Sequence, residues 1–118
     1  MAAESILRTK CDDFALRIVN CYKFLYQEKN EFVMSKQLLR SGTSIGANVT
    51  EGIYAQSRND FISKLSISLK EAQETSYWLR LLYKSGYIGK NEFTSIHNDN
   101  GEIIKLLIAS IKSTKSSE

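Results

Sequence analysis

The sequence predicts an all-α protein, an antiparallel up-down-up-down bundle of about four helices, on three observations. The 118 residues contain no proline, where average usage of roughly 5% would give about six, and a proline-free chain suits long uninterrupted helices. Apolar residues recur at steps of three and four in four separate stretches. A hydrophobic content of 42% with 25% charged residues is ordinary for one globular core at this length.

The first stretch opens at Asp12 or Asp13, either of which can complement a helix N-terminus, and carries Phe14, Ile18, Cys21, Tyr22 and Leu25 on one face. It should fade at the polar run Glu28-Lys29-Asn30-Glu31. The second begins at Ser35, a good N-cap residue, and continues through Leu38, Gly42, Ile45, Val49 and Ile53 to about Ala55. Gly42 and Gly46 each cost roughly 1 kcal/mol against alanine inside a helix. Close approach of a neighbouring backbone would offset that cost; a loop over residues 41–46 is the competing reading.

Asn59 or Asp60 can cap the third stretch, where Phe61, Leu65, Leu69, Ala72, Ser76, Leu79 and Tyr83 form a stripe that should stop at Gly86 in the left-handed conformation. The fourth has Gly89 at the N-cap position, Glu92 three residues later, and Phe93, Ile96, Ile103, Ile104, Leu107 and Ile111 on one face. Residues 1–112 therefore read as a single domain, and 113–118 as a frayed polar tail. Short connections make neighbouring helices antiparallel. Two helical hairpins exchanged between chains would produce the same pattern.

On a helical wheel, Ile67, Trp78 and Leu81 fall at about 200–260° from Phe61, away from the core stripe, in line with Glu74. They form a candidate subunit contact, the alternative being a solvated face with a snorkelling tryptophan. Gln37, Ser41, Ser44, Asn48 and Glu51 share a polar face of the second helix, either solvated or forming a hydrogen-bonding stripe at a subunit interface or along a central channel, where Arg40 and Lys36 would add charge.

No pattern for catalysis emerges, and no cofactor or small-molecule substrate is expected. His97, the single histidine, is preceded three positions earlier by Thr94, so the Glu-x-x-His pairs of dinuclear metal bundles are missing. Glu71 and Glu74 sit on an ordinary mixed helix face beside Lys70 and Trp78. The run from Ser41 to Gly46 lacks the Gly-Lys-Ser/Thr of a phosphate loop, and Ser41 and Ser44 have no nearby histidine. Cys11 and Cys21, ten positions apart, would lie about 15 Å apart along one helix, too far for a disulfide. They read as buried free thiols. No stretch resembles a signal core or a membrane span, so a cytoplasmic location is expected.

Net charge is +3 and thinly spread. A basic surface would have to be assembled by folding or by subunit repetition, from Lys36, Arg40, Arg58, Lys64, Arg80 and Lys84.

Two segments carry a family likeness that patterning does not supply. SKQLLRSGTSIGANVTEG, from Ser35 to Gly52, and RNDFISKLSISLKEAQETSYWL, from Arg58 to Leu79, resemble the bacterial four-helix-bundle proteins encoded within intervening sequences of large-subunit ribosomal RNA genes. The resemblance extends from about Phe14 to Lys112. Arg40, Ser41, Ser44, Asn48, Glu51, Phe61, Leu65, Ala72 and Glu74 match the family pattern, while Thr50 stands where many relatives have a larger residue. The resemblance implies an antiparallel bundle closed into a homo-oligomeric ring, typically a homopentamer, with no established enzymatic activity, and it favours helix over loop for residues 41–52. A more distant pentameric bundle that accompanies a reverse transcriptase binds nucleic acid. RNA or DNA is accordingly the expected partner, with a protein-interaction scaffold without nucleic acid as the alternative.

Overall fold

The computed structural model describes residues 2–117. Four helices follow in order: α1 (Ala2–Gln27), α2 (Met34–Ile53), α3 (Arg58–Lys84) and α4 (Lys90–Ser116). Together they form a body of 48 × 22 × 19 Å. Among the described residues α1 packs on α2, α2 on α3, α3 on α4 and α4 on α1, while no Cα atoms of diagonally opposed helices approach within 8 Å.

Each helix buries a seam with alternating steps of three and four. On α1 it is Leu7, Cys11, Phe14, Ile18, Cys21 and Leu25; on α4 it is Ile96, Asn100, Ile103 and Leu107. The seams of α2 and α3 mix in small and polar residues: Ser35, Leu38, Gly42, Ile45, Val49 and Gly52 face Leu65, Ser68, Ala72, Thr75, Leu79 and Leu82. A mean step of 3.5 residues keeps one stripe turned to its neighbours along the full length of a gently wrapped bundle.

The expected helix starts need correction at three places. α1 begins about ten residues before Asp12, with Leu7 and Cys11 in the core. Ser35 does not cap α2. Instead the buried Glu31 carboxylate accepts from the backbone N–H of Val33, Met34 and Ser35, the last at 2.7 Å, while Ser35 Oγ returns a bond to the Glu31 carbonyl. Burial pushes the Glu31 carboxyl up, but the three backbone N–H donors, with the Ser35 hydroxyl beside them, hold it below the ordinary carboxylate range. At α3 the cap is Ser57, whose hydroxyl accepts from Asp60 N–H, two residues before Asn59 and three before Asp60. α2 ends at Ile53 rather than Ala55.

Gly86 takes φ +86° as expected, and Tyr87 N–H bonds back to the Leu82 carbonyl while Gly86 N–H bonds to Tyr83, closing α3 with a Schellman turn. Gly89 caps α4. The segment 113–116, expected to fray, continues α4, with Thr114 Oγ1 bonded to the Ser110 carbonyl at 2.8 Å. Glu118 lies outside the described residues.

Residues 41–52 are helical throughout, and the glycines are explained by α1. A Cβ on Gly42 would lie 2.8 Å from two carbons of Ile18, and one on Gly46 would lie 3.2 Å from Cys11 Cβ. Polar side chains fix how the helices slide against each other. Ser68 Oγ donates to the Ile45 carbonyl, Thr75 and Ser41 share a hydroxyl hydrogen bond of 2.9 Å, and Asn100 Nδ2 donates to the Ala72 carbonyl. Asn100 Oδ1 is buried without a partner, so this residue adds a register-fixing bond at a desolvation cost.

Candidate functional site

The flank where α2 meets α3 carries most of the residues singled out by sequence. Positions 71, 74 and 78 are one turn apart on α3. Arg40 reaches across from α2 and forms ion pairs with both Glu71 (3.2 Å) and Glu74. Trp78 Nε1 donates to Glu74 at 2.9 Å. The indole bond, and after it the Arg40 guanidinium, hold the Glu74 carboxyl below its usual range. Leu81 and Trp78 are half-buried, while Ile67 stays 40% exposed and Tyr77, packed edge-on against Trp78, 46% exposed. Tyr77 carries no periodic signal in the sequence because it falls between the core stripe and the line of Ile67, Trp78 and Leu81.

The polar line of α2 is spent inside the chain. Ser41 has to be removed from the candidate interface, because it is fully buried against Thr75. Ser44 Oγ donates to the Arg40 carbonyl, Asn48 Nδ2 to the Ser44 carbonyl, and Glu51 pairs with Lys64 at 3.1 Å. Gln37 is exposed.

The expected basic patch is divided. Arg40 and Lys64 are neutralised by the carboxylates just named, Arg80 donates to Ser76, and Arg58 and Lys64 lie on α3 at the opposite end from Lys84. Lys36 and Lys84 are exposed without an ion-pair partner among the described residues. They belong to a different grouping. Arg17, Asn20, Cys21 and Phe24 of α1 line one cleft together with Ile88, Gly89 and Glu92, so the connection over 28–33 and the one over 85–89 share an end of the molecule. At that end Lys23, Lys29, Lys36, Lys84 and Lys90 are all exposed, and none has a carboxylate partner among the described residues. Of the acids nearby, Glu31 is occupied as a helix cap and Glu92 pairs with Arg17 at 3.3 Å, leaving Glu28 exposed.

Aromatic side chains alternate with these lysines. Asn30 adopts φ 53°, a left-handed position that asparagine tolerates, and the tight turn with its Glu31 cap pushes Phe32 and Val33 outward. Phe32 packs edge-on against Tyr26 at 4.8 Å, Tyr26 packs against Tyr22, and Lys29 Nζ lies 5.6 Å above the Phe24 ring. Sequence reasoning missed Lys23, Lys29 and Lys90 because they lie on three different segments that only the fold brings together.

One serine–histidine pair does form. Ser76 Oγ lies 2.7 Å from His97 Nε2, and Phe93 stacks on the imidazole with Tyr83 behind it. Among the described residues the other ring nitrogen has no carboxylate to orient it, and Arg80 occupies Ser76 Oγ, so the pair lacks the third group of a nucleophilic triad. Burial first, and then the Arg80 charge, push the His97 pKa below its ordinary 6.5. The folded protein thus prefers neutral His97. This contribution is complete above about pH 6.5 and is lost as pH falls through that value toward the folded pKa. Thermal melts from about pH 7.5 to 5.5 should show Tm falling, and His97→Gln should flatten the slope; an unchanged slope in the variant would assign it to other groups.

The cysteine thiols are buried and unpaired, pushed up to about 12 for Cys11 and about 11 for Cys21, chiefly by burial. Both are protonated and inert at neutral pH. No helix among the described residues is long and apolar enough to cross a membrane.

Comparison with known proteins adds two findings. A family described as 23S rRNA-intervening sequence protein matches residues 4–109. The chain is similar to a crystal structure, at 1.70 Å, of a protein with unknown function from the S23 ribosomal protein family of Bacteroides thetaiotaomicron VPI-5482, with 59% identity and a TM-score of 0.92 over 93% of this chain and 98% of that one. No curated protein matches.

Proposed function

Because the chain belongs to the 23S rRNA-intervening sequence protein family, we propose that it works as a non-enzymatic, cytoplasmic, homo-oligomeric bundle that binds RNA through its lysine-rich end. The observation that carries this reading is the gathering of five lysines at one end. Lys10, Arg17, Arg40 and Lys64 are matched by carboxylates, and Arg8, Lys70, Lys105, Lys112 and Lys115, exposed and without an ion pair among the described residues, lie elsewhere on α1, α3 and α4, whereas Lys23, Lys29, Lys36, Lys84 and Lys90 share one end without a carboxylate partner among the described residues. Unmatched cations around exposed aromatic rings suit a polyanion whose bases are accessible.

The bundle in this proposal is antiparallel. Its support is the order of the cross-helix bonds: 40 with 74, 45 with 68 and 51 with 64 between α2 and α3, then 72 with 100 and 76 with 97 between α3 and α4. A ring of five subunits, as the family resemblance implies, is supported by two unlike apolar faces. Ile67 and Tyr77 project from α3, and Leu16, 65% exposed, from α1, on diagonally opposed helices. Unlike faces on separate corners suit head-to-tail contacts, which close into rings. Five +3 chains would gather about +15 on one particle.

Light scattering should give about 67 kDa, five times 13.4 kDa, and Ile67→Glu with Tyr77→Glu should reduce it to one subunit. A labelled single-stranded RNA should bind with affinity that falls steeply as salt rises, and Lys23→Glu, Lys36→Glu and Lys84→Glu together should abolish binding. Binding indifferent to salt and to those substitutions would sink the proposal. A protein retained through nuclease treatment, with no RNA bound, would replace it with the scaffold reading.

A further inference from the structure

We propose that the cleft between the C-terminal half of α1 and the start of α4 receives one unstacked base of a single-stranded RNA, with Phe24 as the stacking wall and Asn20 as the reader of the base edge. The inference rests on the RNA-binding reading and adds a position and a mode of contact. The cleft has a volume of about 560 Å³, within the range of pockets that take small organic groups and ample for a base with part of its ribose.

Its walls differ in character. Phe24 is 43% exposed and lines the opening, so half of a large ring faces water where a core residue would be covered. Ile88, buried, and the neutral Cys21 thiol give an apolar floor. Asn20 is exposed on the same wall, and its amide makes no hydrogen bond to the described residues. It therefore keeps two donors and an acceptor, the pairing that asparagine offers to base edges.

Charge decides the orientation of the ligand. The far wall holds Glu92, whose partner Arg17 is itself fixed by Asp99 at 2.7 Å and Ser95 at 3.0 Å. Arg17 is thus committed, and a carboxylate inside the cleft repels a phosphate while it can accept from an exocyclic amine. A cation stands beside the cleft: Lys29 lies over the Phe24 ring, and the exposed Lys23 and Lys90 are the chain neighbours of the lining residues Phe24 and Gly89. The base enters and the phosphates remain outside. A duplex cannot satisfy this arrangement because its bases are stacked and paired.

The test is fluorescence anisotropy of a labelled ten-nucleotide oligocytidylate with the full chain at low salt, each variant checked for an unchanged melt. Phe24→Ala should weaken binding about tenfold, the loss of one stacked base, and leave the salt slope unchanged. Asn20→Ala should weaken oligocytidylate more than an abasic oligomer. Lys29→Ala should reduce the slope by about 0.7. Phe24→Trp should retain affinity and show fluorescence quenching by the oligomer. If the wild type binds and Phe24→Ala and Asn20→Ala bind within about twofold of it, the cleft is unused and only the broader reading survives. If the wild type binds no oligomer, both fall.

Discussion

Gly42→Leu is expected to cost more than about 3 kcal/mol and leave the chain largely unfolded at 37 °C, and Gly42→Ala to cost about 1–3 kcal/mol, although alanine favours a helix by roughly 1 kcal/mol. Geometry decides the sign. The added Cβ would sit 2.8 Å from both Cγ1 and Cγ2 of Ile18 and 3.0 Å from Cδ1. Those carbons branch at Cβ, so χ1 cannot swing them aside cheaply, and Ile18 is wholly buried. α1 would have to move off α2. Gly46→Ala serves as the internal control: its nearest contact is Cys11 Cβ at 3.2 Å, a clash small enough for the helix propensity gain to offset. Urea unfolding of the three variants should order them as Gly46→Ala, Gly42→Ala, Gly42→Leu, and Ile18→Ala combined with Gly42→Ala should cost less than the sum of the single changes. Equal stability of Gly42→Ala and the wild type would mean that α1 and α2 are not in this register.

The same contact shows what was legible beforehand. Two glycines at a four-residue step in an otherwise good helix pointed to a close neighbour, and the structure supplies one in α1. Periodicity located all four helices because each core stripe is mostly apolar. It placed the α3 stripe slightly off, toward Leu69, Ser76 and Tyr83, because Ser68 and Thr75 are buried and read as surface residues by composition. Their hydroxyls are satisfied by the Ile45 and Glu71 carbonyls, so a polar letter costs little there. The α2 cap was missed for a related reason. Local rules favour Ser, Thr, Asn or Asp immediately before the helix, whereas Glu31 reaches α2 from three residues before its first helical position.

The candidate site was less legible than the fold. Arg40, Glu74 and Trp78 were each picked out from one-dimensional spacing, and they do cluster. Their assignment to separate surfaces could not anticipate that Arg40 closes on Glu74, which removes the cation from any patch and ties the indole to α2 through the carboxylate. The lysine-rich end was legible only in part: Lys36 and Lys84 were among the cations expected to build a basic surface, but grouped with Arg40, Arg58, Lys64 and Arg80. Lys23, Lys36, Lys84 and Lys90 come from four helices, and only the folded chain reveals that they share an end where Glu31 and Glu92 are engaged.

Leu7→Ala is expected to cost about 2–5 kcal/mol, a large part of the 5–15 kcal/mol typical of a whole domain, and removal of residues 2–11 to cost at least as much. Helical patterning alone would make both changes harmless, since the apolar stripe becomes clear only from Phe14. The structure disagrees because the seam of α1 reaches back through Cys11 to Leu7, each 2% exposed, and Cys11 rests against the backbone of α2 at Gly46. Truncation would leave that stretch of α2 facing water, beside Val49, itself buried at present. The exposed neighbours Ile6 and Arg8 provide the contrast: Arg8→Ala should leave the melt within about 0.5 kcal/mol of the wild type. Unfolding of these variants in urea separates the possibilities. If Leu7→Ala behaves like Arg8→Ala, the first three turns of α1 are not packed on the bundle in solution, and the Cys11 contact that explains Gly46 is absent there.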